Sequence, residues 1–430
     1  MKKLLICTII FGILSININP VKAEPLNIDA KAYILIDSKS GQVISEYNAD
    51  QKLYPASTTK IMTGIIAIES ADPEQLMTVN QYAIDNIGPG GMNIGLLPGE
   101  QLKLKDLLNA LLVRSANETA YVISENIGPT REAFFAKMNE RAKELGATNT
   151  NFVNPCGMDT DKAAQNHLST ARDLALIAKH AMTLPLFRET VKKTSCTIPA
   201  TNMHKEAVTL ATTNKLFYGK YKSEYYSEVT GIKTGYTDRA GFNLVSSARN
   251  ESGMELISVI LGCPSSEGIY QNSKTLLEYG FMNYTQYNLI SANAHVSSVN
   301  VADASFNPNL DILAEKDLKC ILSKNSTGLN SVTHDIKIAD KIVAPVKKGA
   351  VLGSIEYKKD GISLGKVNLV ASRNVEKLVP TPTPAKNIIS SFNSSVLKKI
   401  LITLLAVLIG FFVLRISLRK ISRNRRLNRT

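Results

Sequence analysis

Tryptophan is absent from the 430 residues, aromatic side chains make up only 6%, and no basic cluster interleaves with them. Without a stacking surface flanked by cations, nucleic acid is not an expected partner. The five histidines are scattered, and Cys7, Cys156, Cys196, Cys263 and Cys320 match no ligand spacing, so neither a metal site nor a cofactor is expected. A chain of this size does not need disulfides, and free buried thiols are the expectation for the four cysteines beyond Cys7. Acidic residues are the minority, 37 against 50 basic, for a formal net charge of +13. Once Lys2, Lys3 and the seven basic residues after Leu414 are set aside, only +4 remains, so the basic excess is mainly a matter of topology.

Both ends are apolar. Met1-Lys2-Lys3, the run 4–16 and Val21-Lys22-Ala23 have the charged start, apolar middle and small-residue exit of a signal peptide, 1–23, cleaved after Ala23. At the other end, 400–414 is uncharged but short for a hydrocarbon core of about 30 Å. Extending it to 396–418, with Lys398, Lys399 and Arg415 snorkelling outward, gives a transmembrane anchor. The tail 419–430 is basic and carries no acidic residue, which places it in the cytoplasm and everything before the span outside. Pro380-Thr381-Pro382-Thr383-Pro384 makes 379–395 a stiff linker.

Between these ends the texture changes once. Alternation at Tyr33, Leu35 and Asp37, then Val43, Ser45 and Tyr47, around Ser38-Lys39-Ser40-Gly41 predicts a β-hairpin. Apolar ladders predict helices after Ser57, around Leu104–Leu112, at Phe134, Met138 and Ala142, and at Leu174, Ile177 and Ala178, with Ser169 as N-cap of the last. Strands over 242–248 and 255–261 precede a helix with Leu276 and Leu277, ended by Gly280. This is an α+β domain, 24–290, whose largely antiparallel sheet carries Lys233 on an edge. Short alternating runs then predict a small all-β domain, 291–378.

Three short motifs carry the candidate chemistry. Ser57 and Lys60, three apart on a helical turn, share a face, so the lysine can reach the serine hydroxyl, and a helix N-terminus favours charge developing on that oxygen. The spacing alone is common; Ser363/Lys366, Ser395/Lys398 and Ser417/Lys420 repeat it. Ser115-Ala116-Asn117 falls in a turn between helices, where on spacing alone a capping turn is the better explanation. Lys233-Thr234-Gly235 occurs once. The Gly-rich segment 86–99 is long for a compact domain and is expected to rim a site. His167 is expected to be structural.

In this order, Ser57-Thr58-Thr59-Lys60, Ser115-Ala116-Asn117 and Lys233-Thr234-Gly235 resemble the three signatures of penicillin-interacting serine acyltransferases. With Pro55-Ala56-Ser57, His167 to Asp173, Asn214-Lys215-Leu216, Gly231 to Thr237 and Ala240 to Asn243, the chain resembles the low-molecular-mass penicillin-binding proteins of the D-alanyl-D-alanine carboxypeptidase family. Cys156 stands in a turn where a different polar residue is expected. The resemblance implies a β-lactamase/transpeptidase-like catalytic domain. It further implies that Ser57 attacks the carbonyl between the last two D-alanines of a peptidoglycan stem peptide, with Lys60 as base and Ser115 as proton relay. Asn117, Lys233, Thr234, Gly235 and Tyr236 would bind substrate, the backbone N–H groups of Ser57 and Tyr236 would form the oxyanion hole, and β-lactam antibiotics would acylate the same serine. Two rivals are a class A-like β-lactamase and a silent penicillin sensor. No Glu-x-x-Leu-Asn lies between Asn117 and Lys233 to support the first, and the cytoplasmic tail is too short for the effector domain that the second requires.

Overall fold

The computed structural model describes residues 26–160, 162–219, 224–324, 328–379 and 394–427. The predicted signal peptide, nearly all of the predicted linker and the last three residues of the tail lie outside the described residues.

A five-stranded sheet organises the region that holds the motifs. Its order is Val43–Tyr47, Ala32–Asp37, Glu255–Cys263, Gly241–Arg249, Val229–Thr237, and every pairing is antiparallel. All nine residues of the central strand Glu255–Cys263 are buried, because both faces of the sheet are covered. Alternation divides the strands between the two faces. Ile34, Ile36, Val245, Ile257, Val259 and Leu261 join one core with Ile61, Met62, Ile65 and Ile66 of the helix Lys60–Ser70. Tyr33, Leu35, Leu244, Leu256 and Ile260 join the other, with Leu276 and Leu277 of the helix Gly268–Asn283. Each fully buried aliphatic side chain stabilises the fold by about 1.5–3 kcal/mol. Burial on this scale fixes the Lys60–Ser70 helix in place although its N-terminus has no side-chain cap.

Two local expectations need correction. Gly280 does not end its helix, which runs on to Asn283. A Cβ there would stand 2.4 Å from Leu256 Cδ1 and 2.9 Å from Leu35 Cδ2, so the glycine is a contact point between helix and sheet. Thr170, rather than Ser169, caps the helix Ala171–Ala181 by accepting from Asp173 N at 3.0 Å. The Ser169 hydroxyl is instead paired with Thr150 Oγ1 at 2.8 Å. The expected edge position of Lys233 and the N-terminal hairpin are present.

Beyond the Gly268–Asn283 helix the described chain up to Val379 has strands and one short 3-10 turn. Two compact units interleave there: one gathers the chain up to Val296 with Leu313–Ile338 and Val351–Val370, the other Ser297–Ile312, Ala339–Ala350 and Ala371–Thr430. In the first, Tyr284–Ile290 pairs antiparallel with Leu318–Ser323, and Val351–Lys359 pairs with both Val332–Ile338 and 362–370. In the second, Val301 and Ala302 pair in parallel with Ile342 and Val343. Ser395–Ile421 is the one described helix long and apolar enough to cross a membrane, with mean hydropathy 2.6. Cys156, Cys196, Cys263 and Cys320 are all free thiols.

Candidate active site

Ser57 lies on a 3-10 turn, Ala56–Thr59, that feeds directly into the buried helix beginning at Lys60. The turn is tight: Ala56 has a left-handed backbone, φ 48°, and Thr58 Oγ1 donates to Pro55 O at 2.7 Å. Two glycines let neighbouring segments close on it. A Cβ at Gly157 would come within 1.9 Å of Ala56 O, and one at Gly235 would meet Pro55 O, Ser57 N and Thr58 N at 3.1 Å. The edge strand Val229–Thr237 therefore runs against the serine turn. Asn243 ties the neighbouring strand to the same point, donating to Tyr54 O at 2.9 Å and accepting from Gly262 N at 2.8 Å.

Lys60 is fully buried, and its Nζ contacts Ser57 Oγ at 2.8 Å, Asn117 Oδ1 at 2.7 Å and the Cys156 carbonyl at 2.9 Å. An ammonium group has three protons and all three have acceptors here. Losing one leaves a lone pair facing the serine hydroxyl. Burial lowers the Lys60 pKa to about 8, against the opposing pull of Cys156 and Glu118, so roughly a tenth of the lysine is neutral at pH 7. Lys233 is also buried, at 1% exposure, and donates to Thr234 O at 3.0 Å. Desolvation, then the positive charge of Lys60, hold its pKa well below the usual lysine value.

The second motif is placed by a helix that changes geometry. Leu104–Asn109 is α-helical, Ala110–Arg114 widens into a π turn, and Ser115 ends it in the left-handed region with φ 71°. The chain then enters the helix Asn117–Ile127, and Ser115 and Asn117 line the same cleft as Ser57. Asn117 Nδ2 donates to Ile87 O at 2.7 Å, and its backbone N–H to Met92 O at 2.7 Å, which joins the loop 86–99 to the site. Among the described residues the Ser115 hydroxyl makes no hydrogen bond to Ser57, Lys60 or Lys233.

These segments border a cleft of about 710 Å³ whose walls include Ser57, Ser115, Asn117, Thr234, Gly235 and Tyr236. Pro89 to Met92 form part of the rim, as expected of the Gly-rich loop. Lys60 and Lys233 lie beneath this surface. Tyr236 is half-exposed, stacks on Phe242 with ring centroids 4.4 Å apart and donates to Asp238 at 2.9 Å. His167 sits below the serine turn: its Nδ1 accepts from Val153 N at 3.1 Å, leaving Nε2 to donate to Thr59 Oγ1 at 2.8 Å. Burial lowers its pKa to about 3, so it is a neutral structural imidazole.

Two cleft residues escaped the sequence reading. Thr213 Oγ1 is 2.7 Å from Thr234 Oγ1 and so orients the hydroxyl of the Lys-Thr-Gly motif. Asp159 accepts from Thr237 Oγ1 at 2.5 Å across the cleft. Neither belongs to a periodic element, and their position next to Asn214-Lys215-Leu216 and Gly157 was the only available signal. Among the described residues no group of three or more His, Cys, Asp and Glu could hold a metal ion.

A family description reading "D-alanyl-D-alanine carboxypeptidase" matches residues 19–265, and one for the "Penicillin-binding protein 5, C-terminal domain" matches 284–377. The chain is 30% identical over 388 residues to the D-alanyl-D-alanine carboxypeptidase DacF of Bacillus subtilis, covering 87% of this chain and 95% of that one. It is 31% identical over 362 residues to DacA of Haemophilus influenzae, covering 82% and 86%. Among solved structures, penicillin-binding protein 5 from Haemophilus influenzae superposes with TM-score 0.68 at 29% identity, over 82% of this chain and 99% of that chain. Penicillin-binding protein 6B from Escherichia coli gives TM-score 0.61 at 25% identity, over 82% and 98%.

Proposed function

The chain belongs to the D-alanyl-D-alanine carboxypeptidase family, and we propose that Ser57, Lys60 and Ser115 carry its hydrolysis of the terminal D-alanine from peptidoglycan stem pentapeptides. In this reading Ser57 Oγ attacks the carbonyl of the penultimate D-alanine while its proton passes to neutral Lys60 Nζ. The backbone N–H groups of Ser57 and Tyr236 stabilise the resulting oxyanion, each such donor contributing about 10²–10³ in rate. Collapse expels D-alanine, whose amine takes its proton by way of Ser115, and water then hydrolyses the ester with Lys60 again as base. A β-lactam acylates the same oxygen.

Asn117 holds the substrate amide, and Lys233, Thr234, Gly235 and Tyr236 receive the terminal carboxylate and the chain leading to it. A substrate carboxylate near Lys233 would favour its ammonium form, and that charge in turn keeps Lys60 neutral. Binding thus readies the base. The observation that carries the reading is the 2.8 Å contact between Ser57 Oγ and a lysine with no access to solvent.

The domains follow the same reading: signal peptide 1–23, peptidase domain 24–290, all-β domain 291–378, linker 379–395, membrane anchor 396–418 and basic cytoplasmic tail 419–430. The apolar helix Ser395–Ile421 supports the anchor, and the seven basic residues after Leu414 support a cytoplasmic tail with the peptidase domain facing the wall. The test is to purify the protein, measure D-alanine release from a defined pentapeptide and locate the penicilloyl adduct by mass spectrometry. Release of D-alanine and an adduct on Ser57 are expected, both abolished in Ser57→Ala. Labelling without release would indicate a sensor, and rapid turnover of penicillin a β-lactamase.

A further inference from the structure

Glu118 follows Asn117 in the first turn of its helix and is fully buried, an unusual place for a carboxylate. Its Oε1 accepts from Ile94 N at 2.6 Å, and Oε2 is buried without a hydrogen-bond partner. Burying a carboxylate half-satisfied is costly, and such a group survives in a fold when its charge or its grip has a use. Both uses are visible here.

The grip is on the loop 86–99, whose Pro89 to Met92 border the cleft. Three hydrogen bonds fasten that loop to the start of the Asn117 helix: Asn117 N to Met92 O, Asn117 Nδ2 to Ile87 O, and Ile94 N to Glu118 Oε1. The loop comes so close that a Cβ at Gly91 would stand 2.6 Å from Asn117 Nδ2. The charge lies in the same buried region as the base. Lys60 Nζ donates to Asn117, the residue beside Glu118, at 2.7 Å; the titratable groups that act on Lys60 are Cys156 from the turn after Asn154 and Glu118 from this helix, and Lys60 in turn acts on Lys233 of the edge strand. Glu118 is the acidic side chain among them.

We propose that Glu118 is a positioning residue for the hydrolytic centre: it clamps the 86–99 loop against Asn117 and places a buried negative charge next to the residue that holds the Lys60 ammonium. A mutant lacking the charge would leave the Lys60 ammonium less stable, so neutral base would be present at lower pH. Glu118's own carboxyl is raised by desolvation, partly offset by the N–H groups of Ile94 and of Glu118 itself, by Lys60 and by the Gly95 N–H.

The inference rests on Ser57 and Lys60 being the reacting pair, and the probe is benzylpenicillin, whose acylation of Ser57 does not depend on which wall peptide is cut. The second-order acylation rate of the full chain is followed from pH 5.5 to 9.5 in wild type, Glu118→Gln, Glu118→Asp and Glu118→Ala. Glu118→Gln keeps the acceptor for Ile94 N and is expected to move the acid limb down by about half a unit or more. Glu118→Asp keeps the charge but not the reach; it is expected to retain the wild-type limb while losing rate at every pH. Glu118→Ala should show both changes. Acid limbs that coincide in all four proteins would overturn the electrostatic role, and an unchanged plateau in Glu118→Asp and Glu118→Ala would overturn the clamp. If wild type is not acylated at Ser57, the underlying assignment fails instead.

Discussion

Asn117 Oδ1 accepts from Lys60 Nζ at 2.7 Å, so the side chain assigned to the substrate amide already holds the base. The amide is neutral, which lets it fix the lysine without stabilising the ammonium as a carboxylate would. Asn117→Asp keeps the size and the acceptor for Lys60, gives up the donor to Ile87 O and adds charge, and it should raise the Lys60 pKa from about 8. The acid limb of penicillin acylation is expected to move up by about one unit, with the rate at pH 7 falling about tenfold or more. The shift is opposite in sign to that of Glu118→Gln, and a stopped-flow pH profile of both proteins reads it directly.

Gly157 has no room for a side chain. With φ 92° and the Ala56 carbonyl 1.9 Å from where a Cβ would be, Gly157→Ala must push apart the turn that supplies Ser57 and the one whose Cys156 carbonyl holds Lys60. A loss of more than about 3 kcal/mol in stability is expected, together with loss of penicillin labelling. Thermal unfolding checks the first and a fluorescent penicillin the second. Gly253→Ala, away from the cleft and with nothing within 4 Å of the added carbon, is the control for positive φ alone.

Thr213→Val removes the partner of Thr234 Oγ1 at nearly constant volume. One hydrogen bond of this kind is worth about 1 kcal/mol, so catalytic efficiency on a pentapeptide should fall about fivefold while the melting temperature moves little. The loss should appear mainly in KM, because the Thr234 hydroxyl is assigned to the substrate carboxylate. A change confined to kcat would remove Thr213 from that role.

How much of this could be read beforehand depended on whether the signal was periodic. Alternation at Tyr33, Leu35 and Asp37, then Val43, Ser45 and Tyr47, is a property of neighbouring residues, and it identified the N-terminal hairpin, while the order of strands and helices gave the sheet and the edge place of Lys233. The three motifs identified the residues that line the cleft because their spacing is short and local. Gly280 and Ser169 misled because a glycine after leucines and a serine before a helix satisfy the capping pattern whether or not they serve it. Helix-to-sheet contact decided the first, and the one-residue offset to Thr170 decided the second. Thr213, Asp159 and Glu118 were invisible as partners since their contacts join loops or a helix start to segments 21, 78 and 24 residues away. Such pairings are set by tertiary packing alone.

His167 provides a test of that packing away from the chemistry. Its imidazole is fully buried, accepts from Val153 N through Nδ1 and donates to Thr59 Oγ1 through Nε2, so the folded protein holds it neutral. The unfolded chain protonates a histidine near pH 6.5, whereas burial lowers the folded value to about 3. Between these limits the unfolded state binds the extra proton, and stability declines as pH falls through that window. The slope from this one residue approaches about 1.4 kcal/mol per pH unit. His167→Gln retains a donor and an acceptor but cannot titrate. Its unfolding free energy, measured in urea at pH 7, 6, 5 and 4, is expected to be lower than wild type at pH 7 and to fall less steeply with acid. Parallel slopes in the two proteins would mean that His167 is protonated in the folded state, and the hydrogen bond from Val153 N to its Nδ1 could not then exist.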